Sequence, residues 1–237
     1  MSMPAETPRV AVVTGASRGA GRAIAIRLGR EGMAVALLAR GADDLARAAE
    51  AVRAAGGQPL PLPTDIRDEG QVQAAFAAIE RQLGRADVVV LNAGVGITGP
   101  TERYTLEQWR TTLDTNLTGA FLCARAAIPL LRRHGGNLIA IGSGAGKQGY
   151  AGMAAYCASK FGLIGLMQSL AAELGDEGIK VSTVIPGSIL TAFGSKPAVR
   201  QPGKKYLLPE DVAEAVLYLV QQAPQAWTQE MNLWPFR

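Results

Sequence analysis

Short runs of β-branched and small apolar residues alternate with stretches of helical periodicity along this chain, and no other feature narrows its fold as much. The strand-like runs cover 9–13, 33–39, 58–62, 87–91, 136–141 and 179–185, with a last one over 228–233. Strands joined through helices pair in parallel, and the helices then cover both faces of the sheet. The pattern predicts the α/β class, a doubly wound parallel sheet of about seven strands. At 237 residues and 48% hydrophobic, the chain can bury a large core. No linker, repeat or charge block divides it, so residues 1–237 are expected to form a single domain. The stretch 191–206, with Pro197, Pro202 and Gly203, lacks periodicity, and a substrate lid is expected over about 187–208.

The first run leads straight into Thr14-Gly15-Ala16-Ser17-Arg18-Gly19-Ala20-Gly21 and then into a helical stretch, 22–30. Strand, glycine turn and helix together let backbone N–H groups and the positive end of a helix dipole approach a pyrophosphate. The spacing of Gly15, Gly19 and Gly21 differs from G-x-G-x-x-G, and on its own such a turn is equally compatible with a structural role. The second strand ends in Ala39-Arg40, where an NAD-binding unit usually offers an acid to the ribose 2′-hydroxyl. A guanidinium there, with Arg18 in the turn, suits a 2′-phosphate and favours NADP(H) over NAD. Two solvated surface arginines are the competing reading. Asp43 and Asp44 read as cap and first-turn acids of the next helix.

Tyr156 and Lys160 stand four residues apart in a Gly/Ala-rich helical stretch, with Ser143 thirteen residues upstream. Residues at that spacing share a helix face, so phenol and ammonium can enter one cavity. A cation beside a phenol favours the phenolate, and the Tyr156 pKa is expected to fall toward neutrality. Ser143 follows an apolar run and lies between Gly142 and Gly144, which leaves its hydroxyl free of neighbouring bulk.

The remaining composition excludes several classes. Net charge is +4, but the arginines are scattered, which gives nucleic-acid binding little support. Arg200, Lys204 and Lys205 in the expected lid read as solvated charges. Cys123 and Cys157 form no C-x-x-C pair and read as buried small residues. The sole histidine, His134, reads as a helix C-terminal residue, so no metal site is expected. Residues 1–6 carry no apolar signal core and no run of eighteen apolar residues follows, so no membrane partner and a cytoplasmic location are expected.

Several separately placed motifs resemble the short-chain dehydrogenase/reductase family, NADP-preferring and similar to its 3-oxoacyl-acyl-carrier-protein reductase-like members, over nearly the whole chain. Thr14 to Gly21 is similar to the family's T-G-x-x-x-G-x-G turn, Asp65-Ile66 to its adenine-contacting pair, Asn92-Ala93-Gly94 to its N-A-G, and Pro186-Gly187 to its P-G step. The resemblance implies a Rossmann-type fold and a catalytic set of Asn116, Ser143, Tyr156 and Lys160. It also implies cofactor contacts from Gly15, Ser17, Arg18, Gly19, Gly21, Arg40, Asp65, Ile66, Asn92, Ala93, Gly94, Tyr156, Lys160, Pro186, Gly187, Ile189 and Thr191. In that scheme Ser143 polarises a carbonyl, Tyr156 moves the proton, Lys160 holds the nicotinamide ribose, and Asn116 holds a water that links Lys160 to solvent.

The substrate side is expected to involve Ser143, Ala145, Tyr150, Met153 and Tyr156, with Ile97 and Ile189 as further apolar walls and Lys147 as a solvated cation or an anchor for an acidic group. Two departures from the family stand out: a short segment between Pro186 and Pro209, and a tail, 227–237, without the usual glycine-rich ending. Phe121, Cys157, Phe161, Ile164 and Gln168 are expected on an outward stripe that would pair copies into a homodimer or homotetramer, or else to belong to the monomer core. The expected activity is hydride transfer between NADP(H) and a small-molecule carbonyl or secondary alcohol. A catalytically silent NADP-binding redox regulator and an NAD-preferring dehydrogenase of the same fold are the alternatives.

Overall fold

The computed structural model describes residues 8–191, 200 and 202–236. Seven parallel strands form one sheet: β1 (Val10–Thr14), β2 (Ala34–Ala39), β3 (Gln58–Pro63), β4 (Val88–Leu91), β5 (Gly136–Ile141), β6 (Ile179–Pro186) and β7 (Glu230–Leu233). Their spatial order is β3-β2-β1-β4-β5-β6-β7. The intervening helices are α1 (Gly19–Arg30), α2 (Ala42–Ala54), α3 (Glu69–Leu83), α4 (Leu106–Leu113), α5 (Gly119–Leu131), α6 (Ala154–Leu174) and α7 (Pro209–Val220). This is the doubly wound, Rossmann-type architecture expected from the alternation.

Every residue of β1 and β2 is buried, because each strand has a helix layer on either side. Val10 and Val12 enter the core beneath α3, α5 and α6, whereas Ala11 and Val13 enter the core beneath α1, α2 and α7. Period-two alternation thus feeds two apolar cores instead of one core and solvent. Asp87 lies just outside β4, buried, where its carboxylate accepts from the Val10 N–H (2.7 Å) and from Arg85 Nε (3.0 Å). Thr228 belongs to a loop, bonded to the Gln222 side chain through both its N–H and its hydroxyl, so β7 begins two residues later than expected.

Asp114–Thr118 form one π-helical turn between α4 and α5. Asp43 and Asp44 occupy the first turn of α2, with Gly41 at the cap. His134 lies exposed in the turn after α5, where its N–H donates to the Leu131 carbonyl. Both cysteines are buried, and burial pushes the Cys123 thiol up to about 12. The expected outward stripe is only partly outward. Phe121, Phe161 and Gln168 are exposed, but Cys157 and Ile164 are buried, because α6 packs along most of its circumference. The two ends of the expected lid are tied by a parallel bridge between Ile189 and Leu207. Residues 192–199 and 201, including Pro197, lie outside the described residues. Among the described residues no helix is long and apolar enough to cross a membrane, and no His/Cys/Asp/Glu group is placed to hold a metal.

Candidate active site

Strand order reverses between β1 and β4, and the crevice at their carboxyl ends is where open α/β sheets take ligands. Thr14, the buried last residue of β1, holds the two strand ends together: its hydroxyl accepts from the N–H groups of Asn92 (2.9 Å) and Ala93 (3.1 Å). The Asn92 amide returns a bond to the Thr14 carbonyl (2.9 Å) and reaches the Gly15 carbonyl at 3.4 Å. Asn92 therefore braces the glycine turn, and Thr14, which the motif reading left without a role, is its partner.

The turn has no room for a side chain at Gly15 or Gly21. Gly15 has a φ of +65°, in the left-handed region. A Cβ on Gly21 would lie 2.3 Å from the Gly15 carbonyl oxygen and 2.4 Å from the Asn92 amide nitrogen. The result is a bare backbone surface leading into the N-terminus of α1. Thr191 closes over it, its Cγ2 3.4 Å from where a Gly19 Cβ would stand. Ser17 is half-buried beside it, and Arg18 is the exposed N-cap of α1. Arg40 is exposed just beyond β2, and neither Arg18 nor Arg40 pairs with a carboxylate among the described residues. Asp65 follows β3, held well below the usual carboxylate range first by its hydrogen bonds with Arg67 and also by the charge of Arg40; Ile66 beside it is buried.

On the other side of the crevice Tyr156 and Lys160 share one face of α6, with the Lys160 Nζ 5.8 Å from the Tyr156 ring centroid. Both are buried, and Lys160 Nζ donates to the Ile141 carbonyl at the end of β5 (2.8 Å). Ser143, two residues past β5, shares a hydrogen bond with the Tyr156 phenol and accepts one from the Ala145 N–H (3.1 Å). The expected fall in the phenol pKa is reversed. Burial pushes Tyr156 up to about 12 against the opposing effect of Ser143, and burial pulls Lys160 down to about 8. Removing water from a phenolate and an ammonium costs more here than their proximity returns.

Asn116 sits buried in the π turn, with both amide hydrogens and its side-chain oxygen hydrogen-bonded. Its Oδ1 accepts from the Val95 N–H (2.8 Å), and its Nδ2 donates to the Val95 carbonyl and to Ser159 Oγ (both 2.9 Å). The amide fastens the loop that holds Ala93 and Gly94 to α6, and that takes both of its N–H donors.

Ala145, Met153, Cys157 and Tyr156 form a small apolar cluster. Tyr150 is 39% exposed, and its hydroxyl accepts from Gln148 Nε2 (2.7 Å). Ile97 is half-buried, and its carbonyl accepts from the Tyr104 hydroxyl (2.6 Å), whereas Ile189 packs against the core beneath α7. Lys147 is not a free cation: it pairs with Glu230 of β7 (2.6 Å). Pro186 ends β6, and the Gly187 N–H donates to the Leu233 carbonyl (2.8 Å). That contact brings in a residue the motifs did not indicate, Trp234, whose ring lies over Gly144 and Gly187. Its only trace in the sequence is the aromatic ending where glycines were expected.

The family model for short chain dehydrogenases matches residues 9–200. A 3-oxoacyl-(acyl-carrier-protein) reductase of Staphylococcus aureus is 39% identical over 183 residues, which cover 76% of this chain and 74% of that protein. A glycine betaine reductase of Emericella nidulans is 34% identical over 236 residues, 96% of this chain, although the match spans only 19% of that longer protein. Among solved structures, a metagenomic short-chain oxidoreductase in complex with NADP superposes with a TM-score of 0.85 at 37% identity, covering 97% of this chain and 98% of its own. Sequence motifs, sheet order and these matches agree that the chain belongs to the short-chain dehydrogenase/reductase family of oxidoreductases.

Proposed function

We propose that this protein reduces a carbonyl compound, or oxidises the corresponding secondary alcohol, by hydride exchange with NADP(H), with Tyr156 as proton donor and acceptor. The observation that carries this reading is the gathering of the Ser143 hydroxyl, the Tyr156 phenol and the Lys160 ammonium on one side of the β1/β4 crevice, opposite a glycine turn stripped of side chains. That bare backbone at the start of α1 fits a pyrophosphate. Arg18 and Arg40, both without carboxylate partners among the described residues, fit a 2′-phosphate, and the presence of NADP in the complex of the related metagenomic oxidoreductase supports the choice. In this reading Asp65 and Ile66 would contact the adenine, and Asn92, Ala93, Gly94, Pro186, Gly187, Ile189 and Thr191 would contact the rest of the cofactor.

When bound, NADPH supplies the hydride to the carbonyl carbon. Ser143 donates to the carbonyl oxygen, and Tyr156 releases its proton to that oxygen as the C=O π bond breaks. A phenol held near 12 is fully protonated at neutral pH, the form that reduction requires. Lys160 has three donors, of which the Ile141 carbonyl takes one, so others remain for ribose hydroxyls. Asn116 is a positioning residue that holds the loop 93–95 against α6. The exposed Phe121 and Phe161 support pairing of copies through α5 and α6.

The test is NADPH oxidation against a panel of aldehydes and ketones. Tyr156→Phe is expected to lower kcat/KM by about 10²–10⁴-fold, with NADPH affinity nearly unchanged. Near-normal turnover in that variant defeats the assignment. Arg40→Ala is expected to weaken NADP binding by about tenfold or more while sparing NAD, as loss of a charge-assisted phosphate contact should. An unchanged ratio of the two affinities removes Arg40 from cofactor recognition.

A further inference from the structure

The C-terminal tail brings an aromatic ring to the substrate side of the site. A Cβ on Gly144, next to Ser143, would lie 2.8 Å from Trp234 Cη2, and one on Gly187 would lie 2.7 Å from Trp234 Cε3. The six-membered part of the indole therefore spans the two glycines, which have space for it only because they lack side chains. The Tyr150 hydroxyl comes within 3.6 Å of the same Gly144 position, so phenol and indole converge beside the residue that follows Ser143.

Neither ring is used up by this packing: Trp234 remains 55% exposed and Tyr150 39% exposed. The tail is also held firmly. Strand β7 pairs with β6 from Thr183 opposite Glu230 to Pro186 opposite Leu233. Glu230 is bound by both Lys147 and Gln168 (3.1 Å to the latter), and Leu233 accepts from the Gly187 N–H. A half-exposed indole on a fixed support offers a flat apolar face, and a planar ring laid on it displaces water from both surfaces. Lys147 is neutralised by Glu230 and so does not act as a free cation here to favour an acidic substrate.

The geometry points to Trp234, with Tyr150, as a specificity-determining aromatic wall that selects carbonyl compounds bearing a planar aryl group on the carbonyl carbon. The inference rests on the proposed carbonyl site at Ser143 and Tyr156, since that site fixes where the C=O would lie.

The test compares dissociation constants of acetophenone and cyclohexyl methyl ketone, equal in ring size but flat and puckered respectively, for the full chain saturated with NADP, so that no turnover occurs. Acetophenone is expected to bind about fivefold to tenfold more tightly, the range set by aromatic pair energies. Trp234→Ala should bring the two within about twofold, Trp234→Phe should retain most of the preference, and Tyr150→Ala should lose part of it. In a Trp109→Phe/Trp227→Phe background, acetophenone should quench the fluorescence of Trp234, a readout that does not depend on the alanine variant folding. Absence of a preference in the wild type, absence of binding, an unchanged preference in Trp234→Ala, or absence of quenching overturns the inference. Carbonyl reduction without aryl preference sinks the wall alone. Aryl preference with no reduction of any carbonyl leaves the wall standing and sinks the proposed activity.

Discussion

Tyr156 and Lys160 are legible in the sequence as a pair, but their protonation is not, because burial sets it and burial belongs to the fold. Their spacing on α6 puts them on one face, as expected. Their pKa values then move against the direction that a simple phenol–cation pair suggests, the phenol up to about 12 and the ammonium down to about 8. The lysine shift has a consequence for stability. Its folded pKa lies below its unfolded value of 10.5, so between pH 8 and 10.5 the unfolded chain binds more protons, and the folded state gains stability as pH rises through that window. Urea unfolding of the cofactor-free protein should show wild-type stability rising relative to Lys160→Met by roughly 3 kcal/mol from pH 8 to 10.5. Titration of Tyr156 is common to both proteins and cancels in the difference. A pH-independent difference between the two means that Lys160 keeps its ordinary pKa.

Elements show the same division. The strands follow the apolar runs to within a residue or two, since hydrophobic alternation is local information. The π turn of Asp114–Thr118 was not visible, because one extra residue in a helical turn leaves no mark on a 3.6-residue pattern. Yet that turn is what presents the Asn116 amide to Val95 and Ser159, elements distant in sequence. Asn116→Ala leaves the part-buried Val95 N–H and carbonyl and the buried Ser159 hydroxyl without it, and is expected to destabilise the fold by roughly 1–3 kcal/mol. Hydrogen exchange should show the loosening first at the Val95 amide and in the loop 93–99. If exchange there is unchanged while activity falls, the positioning role is wrong.

At the scale of the whole molecule, α5 and α6 leave Phe121 (42%) and Phe161 (48%) open to solvent, and burial of such residues between copies stabilises an assembly. Light scattering at micromolar concentration is expected to find a dimer or tetramer, and Phe121→Glu/Phe161→Glu to give monomer with the fold intact by circular dichroism. Monomer in the wild type removes the claim. What the order of residues determined by itself was the α/β class, the parallel sheet, the glycine turn and the Tyr156–Lys160 pair, all written in short-range spacing and periodicity, with Ser143 joined to the pair by the family resemblance. Tertiary structure alone decided the raised phenol and lowered ammonium, the hydrogen bonds of the Asn116 and Asn92 amides, the pairing of Lys147 with Glu230, and the seating of Trp234 on two glycines far apart in the chain. Those depend on desolvation and on contacts between distant segments, and neither exists until the sheet has closed its two cores.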